Sequence, residues 1–233
     1  MPSINVTEVF TSVQGEGPSV GQPAVFLRLS ACNLACVWCD TPYSWDWKRF
    51  DRDAETQRID VAELADSLAA DLETVGLLII TGGEPLIQQR DLIALLELVR
   101  AKVANVRFEI ETNGTIAPSA ALATLVGLFV VSPKLSNSGM ARRLRVKEAA
   151  LAAFQQCRAV LKFVIVGVDD VDEAAEVAAT AGFAPDRVWL MPEGTDSEAI
   201  VAGMRVLAPI CVERGFTMST RLHVLLWGDT RGT

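Results

Sequence analysis

From residue 60 onward the chain alternates short apolar runs, rich in β-branched residues, with longer segments of Ala, Leu and Glu at helical period. That alternation predicts repeated βα units: an α/β fold with a parallel sheet, outer helices and the shape of a barrel or part of one. Strands are predicted over residues 24–29, 77–81, 106–111, 128–132, 161–166 and 188–191, with a last extended stretch over 221–226. Helices are predicted over 61–72, 91–102, 118–126, 147–155, 171–181 and 197–214. Asp60, Ser119, Asp170 and Asp196 stand near several helix starts, where a short polar side chain can cap free backbone N–H groups. Residues 42–59 break the alternation with Trp45, Trp47 and the charged run 48–53. They read as an insertion beside the preceding loop, or as a plain solvated loop. Connections are short and no Pro/Gly/Ser-rich linker interrupts them, so one domain over 1–233 is expected.

Composition narrows the classes. Half of the 233 residues are hydrophobic and 21% are charged, enough apolar surface for one sizeable core. Lys plus Arg number 21 against 29 Asp plus Glu, a net charge of −8, which argues against a broad phosphate-binding face and so against nucleic acid. Residues 1–6 carry no basic, apolar leader pattern, and no run reaches membrane-spanning length, so a cytoplasmic protein without membrane contact is expected. Of five cysteines, Cys157 and Cys211 fall in helical patterns as small hydrophobes, while the other three cluster.

In a parallel α/β barrel, reactive groups gather where strands end and loops begin, at the carboxyl edge of the sheet. Five polar or Gly/Pro-rich loops are placed there. Cys32, Cys36 and Cys39 follow the first barrel strand, Thr81-Gly82-Gly83-Glu84-Pro85 the second and Glu111-Thr112-Asn113-Gly114 the third. Ser132-Pro133-Lys134 follows the fourth, and Met191-Pro192-Glu193-Gly194 the sixth.

The three cysteines, spaced C-x3-C-x2-C, put three soft thiolates on one loop spanning 30–41. Three thiolates leave one iron of a [4Fe-4S] cube without a protein ligand, whereas an electron-transfer cluster takes four. A structural Cys3His zinc site, completed by a distant histidine, is the competing account. Gly82 and Gly83 permit close backbone approach to a ligand, and Glu84 offers a carboxylate to a cationic amine; an ordinary βα turn has the same composition. Ser132 and Lys134 offer a hydroxyl and an ammonium on a loop pinned by Pro133, or form a strand-ending turn with a solvated Lys. Thr41, just after Asp40, offers a hard oxygen of the kind Mg²⁺ accepts, or is a turn residue.

Gln14 and Glu16, alternating with Gly15 and Gly17, can read the donor and acceptor edge of a heterocycle, or belong to a plain turn. Arg28 lies in an otherwise apolar strand, where its charge requires an anionic partner: a bound carboxylate or a structural salt bridge. His223 is the only histidine; placed on an apolar strand and sharing a face with Arg221, it is either a satisfied core residue or a substrate contact.

C-x3-C-x2-C followed by Gly-Gly-Glu-Pro resembles the signature of the radical S-adenosylmethionine (SAM) superfamily, which implies a partial (β/α)6-type barrel. With the N-terminal Gln14-Gly15-Glu16-Gly17, Arg28, Cys39-Asp40-Thr41, Glu111-Thr112-Asn113-Gly114, Ser132-Pro133-Lys134 and the run 221–228, it is similar to the 7-carboxy-7-deazaguanine synthase family from residue 6 onward. That resemblance implies a homodimeric carbon–nitrogen lyase of queuosine and 7-deazapurine biosynthesis. It would convert 6-carboxy-5,6,7,8-tetrahydropterin to 7-carboxy-7-deazaguanine and ammonia, using SAM, a [4Fe-4S] cluster, Mg²⁺ and an electron donor such as flavodoxin. It also implies roles. Cys32, Cys36 and Cys39 would hold the cluster and Thr41 the Mg²⁺. Trp38, Cys39, Asp40, Gly83, Glu84, Ser132, Pro133, Lys134 and 191–194 would hold SAM. Val13, Gln14, Gly15, Glu16, Arg28, Thr81, His223 and the terminal carboxylate of Thr233 would hold substrate. Met191 stands where many members have Gln, which puts a side-chain contact to SAM there in question. Two other readings compete. A glycyl-radical activating enzyme shares the cysteine spacing but gives Gln14, Glu16 and His223 no evident role, and a zinc-stabilised binding module leaves the other rim loops unexplained.

Overall fold

The computed structural model describes residues 2–233. Its strands are β1 (Ser3–Val13), β2 (Pro23–Leu29), β3 (Gln57–Asp60), β4 (Leu77–Gly82), β5 (Arg107–Thr112), β6 (Leu128–Val131), β7 (Ala159–Ile165), β8 (Val188–Pro192) and β9 (Thr217–Met218). They form one sheet in the order β3-β1-β2-β4-β5-β6-β7-β8-β9. From β2 onward every neighbour is parallel, whereas β1 pairs antiparallel with both β2 and β3. The edge strands do not pair with each other, so the barrel stays open. The six predicted parallel strands are present and make up this partial (β/α)6 barrel.

The helices are α1 (Arg52–Glu55), α2 (Val61–Val75), α3 (Gln89–Lys102), α4 (Ala120–Leu125), α5 (Arg142–Arg145), α6 (Glu148–Gln155), α7 (Asp170–Thr180), α8 (Ser197–Arg214) and α9 (Leu222–Trp227). Asp60 caps α2 by accepting from the N–H groups of Ala62 and Glu63, and Gly76, at φ +69°, ends it in the left-handed region. Ser119 and Asp196 cap α4 and α8 in the same way, whereas Asp170 lies within α7 as its first residue. One continuous core runs from Ile4 to Cys211 between the sheet and its helices.

Three differences from the sequence reading have physical causes. The stretch predicted as extended over 221–226 is the helix α9, because a short apolar run fits either period; only Val224 of it is buried. Residues 3–13 form a long strand whose alternation is hidden by an irregularity in register between Val6 and Glu8. The 42–59 segment is only partly an insertion: its end, β3, adds a strand to the edge of the sheet.

Side-chain parity along the strands sorts the sheet into two faces. Val25, Leu27, Leu78, Ile80, Phe108, Ile110, Leu161, Phe163 and Leu190 point outward into the helical core. The alternate positions point into the barrel. A small apolar plug of Ala24, Phe26, Leu77 and Ile79, with Phe10 stacked on Phe26, fills one end of that interior. Further along the same faces stand Arg28, Thr81, Glu109, Glu111 and Lys162.

Candidate functional site

The loop carrying the three cysteines leaves β2 through Ala31, whose φ of +77° is unusual for a residue with a Cβ. It is stitched to the loop after β4: Gly83 N–H donates to the Leu29 carbonyl at 3.1 Å and Glu84 N–H to the Ala31 carbonyl at 2.8 Å. A Cβ on Gly82 would lie 2.2 Å from the Leu29 oxygen, and one on Gly83 2.0 Å from the Ala31 oxygen. The two glycines are therefore required by the approach of one loop to the other, which sets the cysteines above the sheet edge.

Glu84 departs from its expected role. Its carboxylate is fully buried and accepts from Leu86 N–H, Asn113 N–H and the Thr112 hydroxyl, so it locks the β4 and β5 loops together and faces no ligand. Burial raises its pKa against those hydrogen bonds.

A cavity of about 490 Å³ opens at this edge. Cys32, Cys36 and Cys39 line one side of it, together with Trp38, Asp40, Thr41 and Gly83. Ser132, Lys134 and Met191 join them, with the Lys134 ammonium 2.9 Å from the Ser132 hydroxyl and 5.3 Å from the centre of the Trp38 ring. Val13, Gln14, Gly15, Glu16, Arg28, Thr81, His223 and Thr233 line the remainder. Pro133, Pro192, Glu193 and Gly194 sit outside the lining; the Glu193 N–H is bonded to the Ile165 carbonyl, and the Gly194 carbonyl accepts from Arg221.

Several candidate side chains are already engaged within the protein. Gln14 donates to Glu111 at 3.1 Å and accepts from the Glu16 N–H, while the Thr81 hydroxyl donates to the other Glu111 oxygen at 2.8 Å. Glu16 pairs with Lys162, with Arg221 at 3.0 Å and with His223 at 4.0 Å. Burial works to raise the Glu16 pKa, but the charges of Lys162 and Arg221 outweigh it and hold the carboxyl well below the usual carboxylate range. Arg28 has the structural partner foreseen as one alternative: its Nε lies 2.6 Å from Glu8 Oε1. Among the described residues its two terminal nitrogens make no hydrogen bond, and the side chain still lines the cavity. His223 packs against Gly15, where a Cβ would fall 1.9 Å from its Nδ1. Burial lowers its pKa, favouring the neutral ring.

Lys162 lines this cavity and was not singled out from the sequence, while Glu111 and Asn113, on the rim loop after the third strand, line it too and had been given no individual role. The signal that marked Arg28, one charged residue in an apolar strand, is present at Leu161-Lys162-Phe163 and at Ile110-Glu111 as well.

The barrel and its three-thiol loop define a radical SAM enzyme, and residues 28–203 match the Radical SAM superfamily. The 7-carboxy-7-deazaguanine synthase of Pyrobaculum aerophilum is 39% identical over 99% of this chain and 98% of its own, and that of Rhodopirellula baltica is 33% identical over 99% and 89%. The chain belongs to this 7-carboxy-7-deazaguanine synthase family. The crystal structure of QueE from Escherichia coli matches with a TM-score of 0.71 at 27% identity, covering 95% of each chain. Native anSMEcpe with bound AdoMet shares the fold, with a TM-score of 0.60 at 16% identity over 81% of this chain and 61% of that one.

Radical SAM enzymes carry a [4Fe-4S] cluster and SAM, and the cysteine loop suits such a cluster. Leu34 N–H lies 3.4 Å from Cys32 Sγ, Trp45 Nε1 3.3 Å from Cys39 Sγ and Asn113 Nδ2 4.0 Å from Cys32 Sγ, donors of the kind that stabilise thiolate sulfur. As a free thiol Cys32 is pushed up to about 12 by burial, so its thiolate needs the positive charge that iron brings. Among the described residues no three His, Cys, Asp or Glu side chains converge on one point for a single ion. His223, against Glu16 and Gly15, does not complete a zinc set with the cysteines. Among the described residues no helix is long and apolar enough to cross a membrane.

Proposed function

We propose that this chain converts 6-carboxy-5,6,7,8-tetrahydropterin to 7-carboxy-7-deazaguanine with release of ammonia, a reaction whose atoms balance without a further co-reactant. The observation that carries this reading is the continuity of one cavity from the three thiols to Gln14, Arg28, Thr81 and Glu111. A polar bicycle with a planar pyrimidine ring, placed there, would meet acceptor and donor edges on one side and the cluster wall on the other. Reduced cluster and SAM together supply the hydrogen-abstracting radical, and the chain supplies placement and shielding. Arg28 presents its free terminal nitrogens to the substrate carboxylate while Glu8 fixes its Nε. Glu111, held by Gln14 and Thr81, presents a fixed carboxylate edge to the ring N–H groups. Lys134 and Ser132, beside Trp38, face the carboxylate and ribose of SAM. Thr41, which lines the cavity, would offer its hydroxyl oxygen to Mg²⁺. Thr233, which lines the cavity, contacts the pterin. The same reading includes a cytoplasmic homodimer served by a one-electron donor such as flavodoxin.

The test is anaerobic turnover of cluster-loaded protein with SAM, a reductant and the carboxypterin. One 7-carboxy-7-deazaguanine and one ammonia per pterin are expected. Protein that holds its cluster and cleaves SAM but yields neither product refutes the assignment.

A further inference from the structure

We infer that Arg221 is a positioning residue that couples the two halves of the cavity, so that SAM and the pterin each tighten the binding of the other. The inference rests on the proposed reaction and deepens it. One buried guanidinium ties together three loops that carry different parts of the site. Its Nε donates to Glu16 at 3.0 Å, on the connection from β1 to β2 that also bears Gln14. Its Nη1 donates to the Gly194 carbonyl at 2.7 Å, on the loop after β8 that begins beyond Met191. Its Nη2 pairs with Asp40, the residue following Cys39 on the cluster loop.

The fork is backed by rigid neighbours. Lys162, from the centre of β7, holds the far oxygen of Glu16, and the Leu222 N–H donates to the Gly15 carbonyl at 2.8 Å, so the start of α9 moves with the β1–β2 connection. The Arg221 side chain is 8% exposed, which limits screening by salt. Asp40, at 40%, is the open arm of the clamp and the one adjoining the cysteines. A planar fork with fixed donor directions transmits the displacement of one acceptor to the other two, which the freely rotating point charge of a lysine does not. The first ligand to settle on either side thereby fixes the geometry met by the second, and linkage makes the effect reciprocal.

The test measures the SAM dissociation constant of anaerobic, cluster-loaded protein without reductant, with and without saturating carboxypterin, in wild type and Arg221→Lys. In wild type the pterin is expected to tighten SAM at least about fivefold, with the same factor for pterin when SAM is saturating. In Arg221→Lys that factor should fall toward one, although each ligand alone still binds. A role confined to holding the fold would weaken both ligands alone and leave the factor intact. Should Arg221→Lys fail to retain its cluster, Asp40→Asn cuts only one arm and must also reduce the factor. An equal factor in wild type and in the folded variant, or none in wild type, overturns the inference. If wild type does not turn the pterin over at all, it is the reaction assignment that falls.

Discussion

Glu109 should lose its proton at the cost of stability, so Glu109→Gln is expected to stabilise the protein increasingly as pH rises. The residue is 2% exposed beneath the cavity; the Ser19 hydroxyl donates to its Oε2 at 2.5 Å, and its Oε1 is buried without a partner. Burial pushes its pKa up to about 7 from 4.5, opposed by the Ser19 hydrogen bond and reinforced by Glu111. Because the folded state holds this proton more tightly than the unfolded chain, the contribution is fully present below pH 4.5 and is lost as pH rises through about 7. At 1.36 kcal/mol per pH unit the difference between 4.5 and about 7 is worth about 3 kcal/mol, most of which falls between pH 5 and pH 8.5. For a chain of this length that is a shift of roughly 5 to 10 °C in melting temperature. Anaerobic thermal unfolding of the cluster-free protein at both pH values measures it. The gap between Glu109→Gln and wild type should widen toward alkaline pH by that amount. Parallel pH profiles for the two proteins would refute the account of a neutral, under-bonded carboxyl.

Four further outcomes are expected. Cys32→Ala, Cys36→Ala or Cys39→Ala should abolish turnover and most of the bound iron, whereas Cys157→Ala and Cys211→Ala should keep both, as iron analysis and cluster absorbance will show. Gly83→Ala should destabilise by about 3 kcal/mol or more in a denaturant titration, because its Cβ meets backbone at 2.0 Å and neither loop can yield independently. Arg28→Ala should weaken carboxypterin binding by about 1.5 to 3 kcal/mol, the range for hydrogen bonds between charged groups, and abolish the preference over an analogue lacking the carboxylate; a retained preference would confine Arg28 to its bridge with Glu8. Thr41→Ala should blunt the acceleration of product formation by Mg²⁺, and an unchanged Mg²⁺ response would place that ion elsewhere.

The parallel strands and rim loops were legible because each buried strand is an apolar run that ends in Gly, Pro or polar residues. The cysteine spacing was legible because it is local. Less visible were relations that depend on parity and on partners distant in sequence. Arg28 stood out as a charge among apolar neighbours, but the partner that holds it, Glu8, lies beyond the register irregularity in β1. Glu84 looked like a ligand because it follows two glycines, yet the acceptor demand of the Thr112 hydroxyl and the Asn113 N–H claims it. His223 was assigned to a strand because Leu, Val and Trp suit either period; the helix places it on Gly15, a contact that no local pattern encodes.

The span between Asp40 and Arg221 has a consequence for biogenesis. The two residues that close the clamp are 181 positions apart, and the Ser219 hydroxyl that receives the Gly17 N–H is 202 positions from it. At ribosomal rates of roughly 5 to 20 residues per second, the nascent chain presents its three thiols about 10 to 40 s before Arg221, the other side of the clamp, has been made. Until Arg221 emerges, Asp40 beside Cys39 lacks the cation that pairs with it, so the cluster loop takes its final geometry only after that segment has been translated.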